Sequence, residues 1–205
     1  MLRCTALQAA CKRFLSLSVF FWSFSGHVLF AQSAIDRVDI QLLEHIAAKR
    51  TPGQTQFFRT ISDANNYVNA AIPAGLFIAG ALDGDKGMRQ NAAYIAVSTA
   101  STAVLNMLIK RIVKRPRPFR MHIQFHAVYE PSGYSFPSGH TSASFSTATA
   151  LSRAYSKWYV IAPSFIWASS VGYSRMYLGV HNPSDVLAGA ALGAANAFGF
   201  DFLRK

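Results

Sequence analysis

Cysteine is almost missing from this chain: Cys4 and Cys11 are the only two, and both precede residue 12. No disulfide framework and no cysteine-based metal site can be built from them. Neither follows an apolar stretch, so neither reads as a lipidation site. From residue 12 onward no thiol is present, and that part of the chain tolerates an oxidising compartment. Acidic residues are also scarce, 9 against 20 lysines and arginines, for a formal charge of +11. The sequence shows no strand-like alternation, no internal repeat, no low-complexity tract and no carboxylate cluster suited to a metal ion.

What is present is apolar and helical. Just over half of the 205 residues are hydrophobic, and the mean hydropathy is slightly positive. Those values suit either a membrane protein or an apolar soluble bundle. The first 34 residues look like a targeting segment: Arg3, Lys12 and Arg13 form a basic start, Phe14 to Phe30 is apolar and serine-laced, and AQSA offers small residues for cleavage. A cleaved signal peptide and a retained first transmembrane helix fit equally. Both put residues 35–205, the helical domain, beyond the cytoplasmic start.

Ile35 to Arg50 carries apolar residues at helical spacing, and TPGQ ends that pattern. Gln54 to Asn66 is polar and reads as a short surface helix. Apolar segments follow at Tyr67–Leu82, Asn91–Ile109, Ser138–Leu151, Trp158–Tyr173 and Val186–Phe202. With Phe14–Phe30 they make six, which predicts an all-α, six-helix bundle. At 1.5 Å per residue, Asn91–Ile109 spans roughly 28 Å, about one bilayer core. The other segments are rich in Ala, Ser and Gly, and Gly189 and Gly193 form a GxxxG pair suited to close helix packing in a membrane. A transmembrane bundle is therefore the expected architecture, with a soluble bundle as the alternative.

Alternating crossings gather Lys110–Pro118, Pro137–His140 and Ser174–Asp185 at one end of that bundle, where a site would be built. With the N-terminus inside, that end is the outer one. The positive-inside tendency then resists the six basic residues Lys110, Arg111, Lys114, Arg115, Arg117 and Arg120, and the cluster needs a functional reason. Lys110 closes a helix, where a cation is favoured, and the prolines at 116 and 118 project Arg117 from extended chain. Taken alone, the cluster equally fits a solvated face or an anionic-lipid patch. Ser138 is placed to cap the helix after it, Gly139 lets backbone approach an anion, and His140 stands at the edge of that helix start; His140 also fits an ordinary first-turn histidine. Pro183 suits a first helical position with Asn182 before it. His181 and Asp185 are spaced so that a carboxylate reaches one ring nitrogen and leaves the other bare, although Asp185 is also a good capping charge. Arg175 adds a further cation.

Together, Lys110-x6-Arg117-Pro118, Pro137-Ser138-Gly139-His140 and Ser174-Arg175-x5-His181-x3-Asp185 resemble the three-part signature of the type 2 phosphatidic acid phosphatase superfamily. That superfamily also includes bacterial acid phosphatases and vanadium haloperoxidases. The resemblance implies a phosphatase acting on a phosphate monoester or pyrophosphate, with a phosphorylated lipid as substrate and the membrane as partner. It implies no metal, no cofactor and no nucleic acid. In that scheme His181 attacks phosphorus, Asp185 holds its tautomer, and His140 protonates the leaving oxygen and then activates water. Lys110, Arg117, Arg175, Ser138 and the Gly139 N–H cradle the phosphoryl oxygens. The implied location is a bacterial-type inner membrane with the site on the periplasmic side, or, alternatively, the soluble periplasm. A periplasmic non-specific acid phosphatase and a vanadium-dependent haloperoxidase are the competing activities. The remaining cations Arg111, Lys114, Arg115 and Arg120 are expected to attract anionic headgroups.

Overall fold

A computed structural model describes residues 34–204; the leader segment Phe14–Phe30 lies outside them. The chain divides into two units, Met1–Asp39 and Ile40–Lys205. Helix α1 covers residues 34–47. Then come α2 (Pro52–Leu82), α3 (Lys86–Val113), the single turn α4 (Pro118–Met121), α5 (Gly139–Ala154), α6 (Trp158–Tyr177) and α7 (Pro183–Gly199), closed by a 3₁₀ turn at Asp201–Leu203. No strand occurs among the described residues, and six of the helices exceed two turns.

The helix ends follow from local chemistry. Thr51 Oγ1 accepts the N–H of Gln54 at 3.3 Å and Pro52 occupies the first helical position, so TPGQ starts α2 as well as ending the helix before it. The polar stretch Gln54–Asn66 is therefore not a separate surface helix. It is the first half of a 31-residue helix, and its polar residues Ser62 and Asn65, with Asn69 just beyond it, point into the bundle. Asp85 opens α3 by accepting the Met88 N–H at 3.0 Å. Lys114, in the left-handed region (φ 52), closes it with its N–H on the Lys110 carbonyl. Helix α6 runs on to Tyr177, which puts Ser174 and Arg175 on its last turn rather than in a loop.

The interior of the bundle is unusually polar. Helix α5 buries Thr141, Ser142, Ser144, Ser146, Thr147 and Thr149, each small enough to let neighbouring helices approach. Thr102 Oγ1 donates to Ser146 Oγ at 3.0 Å, Thr99 and Thr147 share a 2.9 Å bond, and Asn106 Nδ2 donates to Ser142 Oγ at 3.1 Å. Asn196 Nδ2 reaches Ser101 Oγ at 2.7 Å and Thr102 Oγ1 at 2.8 Å. The outside is the reverse: Phe57, Phe77, Ile78, Leu108, Ile166 and Leu187 are all exposed. Among the described residues one helical stretch, Lys86–Met121, is long and apolar enough to cross a membrane by length and composition.

Candidate active site

The three signature segments meet at one end of the bundle. His181 lies in the turn between α6 and α7 and is 2 % exposed. Arg117 NH1 sits 3.3 Å from its Nε2. A guanidinium has only donors to offer, so Nε2 accepts and carries no proton. The ring proton is then on Nδ1, which faces Ser135 Oγ at 3.3 Å and Asp185 Oδ2 at 3.7 Å. The carboxylate thus approaches the expected nitrogen, but at a distance too long for a direct hydrogen bond. Ser135 completes the link: its hydroxyl donates to Asp185 Oδ2 and is left to accept from His181. The same carboxylate oxygen accepts the Asn182 N–H at 2.8 Å. Burial foremost, with the Arg175 and Arg117 charges beside it, pushes the His181 imidazole down to about 3 against the opposing pull of Asp185. The ring is neutral around pH 7.

The cations arrive from three elements. Lys110 Nζ donates to the carbonyls of Tyr134 at 2.8 Å and Ser135 at 3.0 Å. Arg117, 6 % exposed, is pinned by the carbonyls of Val180 (2.8 Å), Ser132 (3.2 Å) and Gly133 (3.3 Å). Arg175 donates to Ser62 Oγ and to Tyr129 Oη, and its guanidinium lies 5.8 Å over the Tyr129 ring. Its Nε is buried without a partner. All three charges lie close enough to His140 to act on it electrostatically, and two of them also bear on His181. The two imidazoles therefore share one cationic neighbourhood.

Ser138 and Gly139 stand where α5 begins, with first-turn N–H groups that have no partner inside the helix. Ser138 occupies the cap position, but its hydroxyl does not cap; it accepts from Thr141 Oγ1 at 2.9 Å instead. Its backbone N–H donates to the Asp185 carbonyl at 3.0 Å, tying the start of α5 to the start of α7. Such a ring of fixed donors suits a tetrahedral oxyanion. Among the described residues no group of three or more His, Cys, Asp or Glu is placed to hold a metal ion.

Four residues belong to this constellation that the sequence reading did not assign to it: Ser135, Arg115, Ser62 and Tyr129. Arg115 corrects an expectation. Grouped with the headgroup-attracting cations, it instead pairs with Asp185 Oδ1 at 2.8 Å, its side chain 14 % exposed. Arg111, Lys114 and Arg120 are exposed, as that role requires.

An apolar groove of about 680 Å³ runs between α2 and α3. Ala96 and Ala100 of α3 line one side, Pro73 and Phe77 of α2 the other, and α5 contributes Ala143, three residues beyond His140.

The family model described as "PAP2 superfamily" matches residues 91–200. An undecaprenyl-diphosphatase of Sulfolobus acidocaldarius is 35% identical over 105 residues, 51% of this chain and 50% of the relative. The chain thus matches about half the length of that relative. Among solved structures, Aquifex aeolicus LpxE superposes with a TM-score of 0.69 at 28% identity, covering 80% of this chain and 94% of the other. A transmembrane PAP2-type phosphatidylglycerolphosphate phosphatase from Bacillus subtilis gives 0.67 at 22% identity, covering 92% and 94%, a likeness of fold.

Proposed function

This chain belongs to the PAP2 superfamily, and from that premise we propose that it is a phosphatase that hydrolyses a phosphate monoester or pyrophosphate of a lipid through a phosphohistidine, without a metal. The observation that carries this reading is the unprotonated Nε2 of His181, buried and aimed at the Arg117 guanidinium, where the substrate's phosphorus is expected to meet Nε2 while its oxygens take the guanidinium's hydrogen bonds. In the first step Nε2 forms a bond to phosphorus as the bond to the leaving oxygen breaks, and His140, which enters the step as imidazolium beside the negative charge of the bound phosphate, gives that oxygen its proton. In the second step His140 takes a proton from water, the hydroxide attacks phosphorus, and the P–N bond breaks to release phosphate and restore neutral His181. The Nδ1–H, held by Ser135 and Asp185, stabilises the positive charge on the phosphorylated ring. Lys110, Arg117, Arg175, Ser138 and the Gly139 N–H hold the three non-bridging oxygens, the main catalytic contribution in phosphoryl transfer.

Two features support a lipid substrate at a membrane. The bundle is polar inside and apolar outside, an arrangement that water disfavours and a bilayer accommodates. The apolar groove between α2 and α3 reaches Ala143, one helical turn along α5 from His140, and suits an acyl or prenyl chain whose phosphate lies in the cationic ring. The name of the Sulfolobus relative, an undecaprenyl-diphosphatase, is of the same chemical class. The signal-like start supports a site on the extracytoplasmic face of an inner membrane. The test is phosphate release by the detergent-solubilised full chain over a panel of phosphatidate, phosphatidylglycerol phosphate, prenyl diphosphate and lipid A. Release from at least one lipid, unaffected by EDTA and blocked by vanadate, is the expected result. No release from any of them would remove the reading.

The exposed cations give a second prediction. Changing Arg111, Lys114 and Arg120 to glutamine should raise KM for a lipid phosphate in anionic vesicles by about two orders of magnitude, since each surface cation contributes about 1 kcal/mol. A soluble chromogenic ester should be hydrolysed as before. Equal loss on both substrates would count against a headgroup role.

A further inference from the structure

We propose that Arg115 is a positioning residue for the His181–Asp185 pair, holding both of the groups that face the proton-bearing nitrogen of His181. It does so from two ends. Its guanidinium NH1 donates to Asp185 Oδ1 at 2.8 Å and to Ser184 Oγ at 2.6 Å. Its main-chain carbonyl accepts the Ser135 N–H at 2.8 Å. Ser135 and Asp185 are the groups against His181 Nδ1, so one residue sets the distance between them.

The local chain explains how a residue just past a helix reaches that position. Lys114 takes the left-handed conformation that ends α3. Pro116 then denies Arg115 the helical region, so the chain turns and runs extended, with the Arg115 side chain aimed at α7. Asp185 is fully buried. Its two oxygens are divided: Oδ1 to Arg115, and Oδ2 to Ser135, the Asn182 N–H and the His181 side. With Oδ1 held by Arg115 and Oδ2 by Ser135 and the Asn182 N–H, the carboxylate is fixed at both ends and Oδ2 stays toward the imidazole. Arginine is suited to the task because its planar fork fixes direction as well as charge.

This rests on the reading of His181 as nucleophile, and the test keeps the two apart. The charged and titratable groups that bear on His181 and Asp185 are Lys110 from α3, Arg115 and Arg117 from the loop after it, and Arg175 from α6. His140, at the start of α5, faces the same Lys110, Arg117 and Arg175. The variants are Arg115→Met, which keeps the apolar stem, and Arg115→Lys, which keeps the charge. Both retain the main-chain bond to Ser135, so the side chain's grip on Asp185 and Ser184 at the start of α7 is what is tested.

With the full chain in detergent and a soluble chromogenic ester, Arg115→Met should lose about 10- to 100-fold in kcat, the scale of a slight misplacement of a reacting group, while KM stays within about twofold. The acid limb of kcat/KM should move up by roughly one pH unit, because the Asp185 carboxylate beside the imidazole is no longer offset by the Arg115 charge. Arg115→Lys should recover part of the rate and most of the limb. If Arg115→Met does not fold, the limb of Arg115→Lys decides: a position between wild type and a charge-free site supports the role, and no movement with full activity overturns it. If Arg115→Met folds and its profile is unmoved, Arg115 is only a packing residue. Trapping of labelled phosphoenzyme separates the two levels. Label on His181 together with an unmoved profile overturns the positioning role alone, whereas no label on His181 in the wild type overturns both.

Discussion

His181→Ala is expected to lower kcat by about 10⁴-fold or more, the scale on which removing a covalent nucleophile acts, and to abolish labelling of the protein from a ³²P substrate. The expectation comes from the tautomer. Arg117 leaves Nε2 nothing to do but accept, while Ser135 and Asp185 lie on the Nδ1 side. Among the described residues no other imidazole has both neighbours. The variant should still bind phosphate, because Lys110, Arg117 and Arg175 are each held by contacts that do not involve His181. KM should therefore change little, and added imidazole should restore part of the turnover by entering the vacated space. A variant that hydrolyses lipid phosphate at the wild-type rate would end the phosphohistidine mechanism.

The same substitution carries a pH signature. Folded His181 titrates at about 3, far below the ordinary 6.5. Between those values the unfolded chain binds a proton that the folded chain does not, so stability falls as pH drops below about 6.5 and goes on falling until about 3. Above 6.5 the group costs nothing. At pH 5 the penalty is roughly 2 kcal/mol. Relative to the wild type, His181→Ala should gain thermal stability on going from pH 8 to pH 5, read by differential scanning in detergent. A wild-type-minus-variant difference independent of pH would mean that the imidazole is not buried in its neutral form.

How much of this was legible before the fold can be seen residue by residue. The eight site residues are set by short-range spacing within the signature, and the order of helices brings its three segments to one end. What could not be read is what depends on distance across the bundle. Ser135 stands within three residues of Ser138, yet its value lies in being between His181 and Asp185, which are about fifty residues further on. Arg115 and Arg120 look alike in a basic run; the left-handed turn at Lys114 and the constraint of Pro116 send one inward. Ser62 sits in a polar stretch that suggests a surface helix. Polarity at the surface and polarity in the core of a bundle with an apolar exterior look the same in a linear pattern, and for that reason Gln54–Asn66 was expected apart from the apolar half of α2. The apolar pattern of α6 stops at Tyr173 and leaves Arg175 in the polar stretch after it, while the helix itself runs to Tyr177.

The GxxxG pair was legible, and its consequence is the second large effect. A methyl group on Gly193 would lie 2.1 Å from the Ser142 carbonyl oxygen and 2.8 Å from the Ser146 nitrogen. On Gly189 it would lie 2.7 Å from the Ser138 carbonyl oxygen. These are backbone atoms of α5 and cannot rotate aside, so Gly193→Ala must push α7 away by about 1 Å or more to restore a normal separation. Overpacking of this kind costs about 1–3 kcal/mol, occasionally more. The cost reaches the chemistry as well. Helix α7 carries Asp185 and follows His181, while α5 begins at the Gly139–His140 pair. The Ser138 N–H on the Asp185 carbonyl joins the two at the level of the site. A displacement there changes the separation of nucleophile and proton donor, and a shift of about 1 Å is worth about 100-fold in rate. Gly193→Ala should therefore melt at lower temperature and, where still folded, turn over about 100-fold more slowly. Gly75→Ala is the control: a methyl group there meets nothing within 4 Å, and in the middle of α2 it should add about 0.5–1 kcal/mol of stability with unchanged activity. If both alanines behave alike, the close approach of α5 and α7 is not what sets the site.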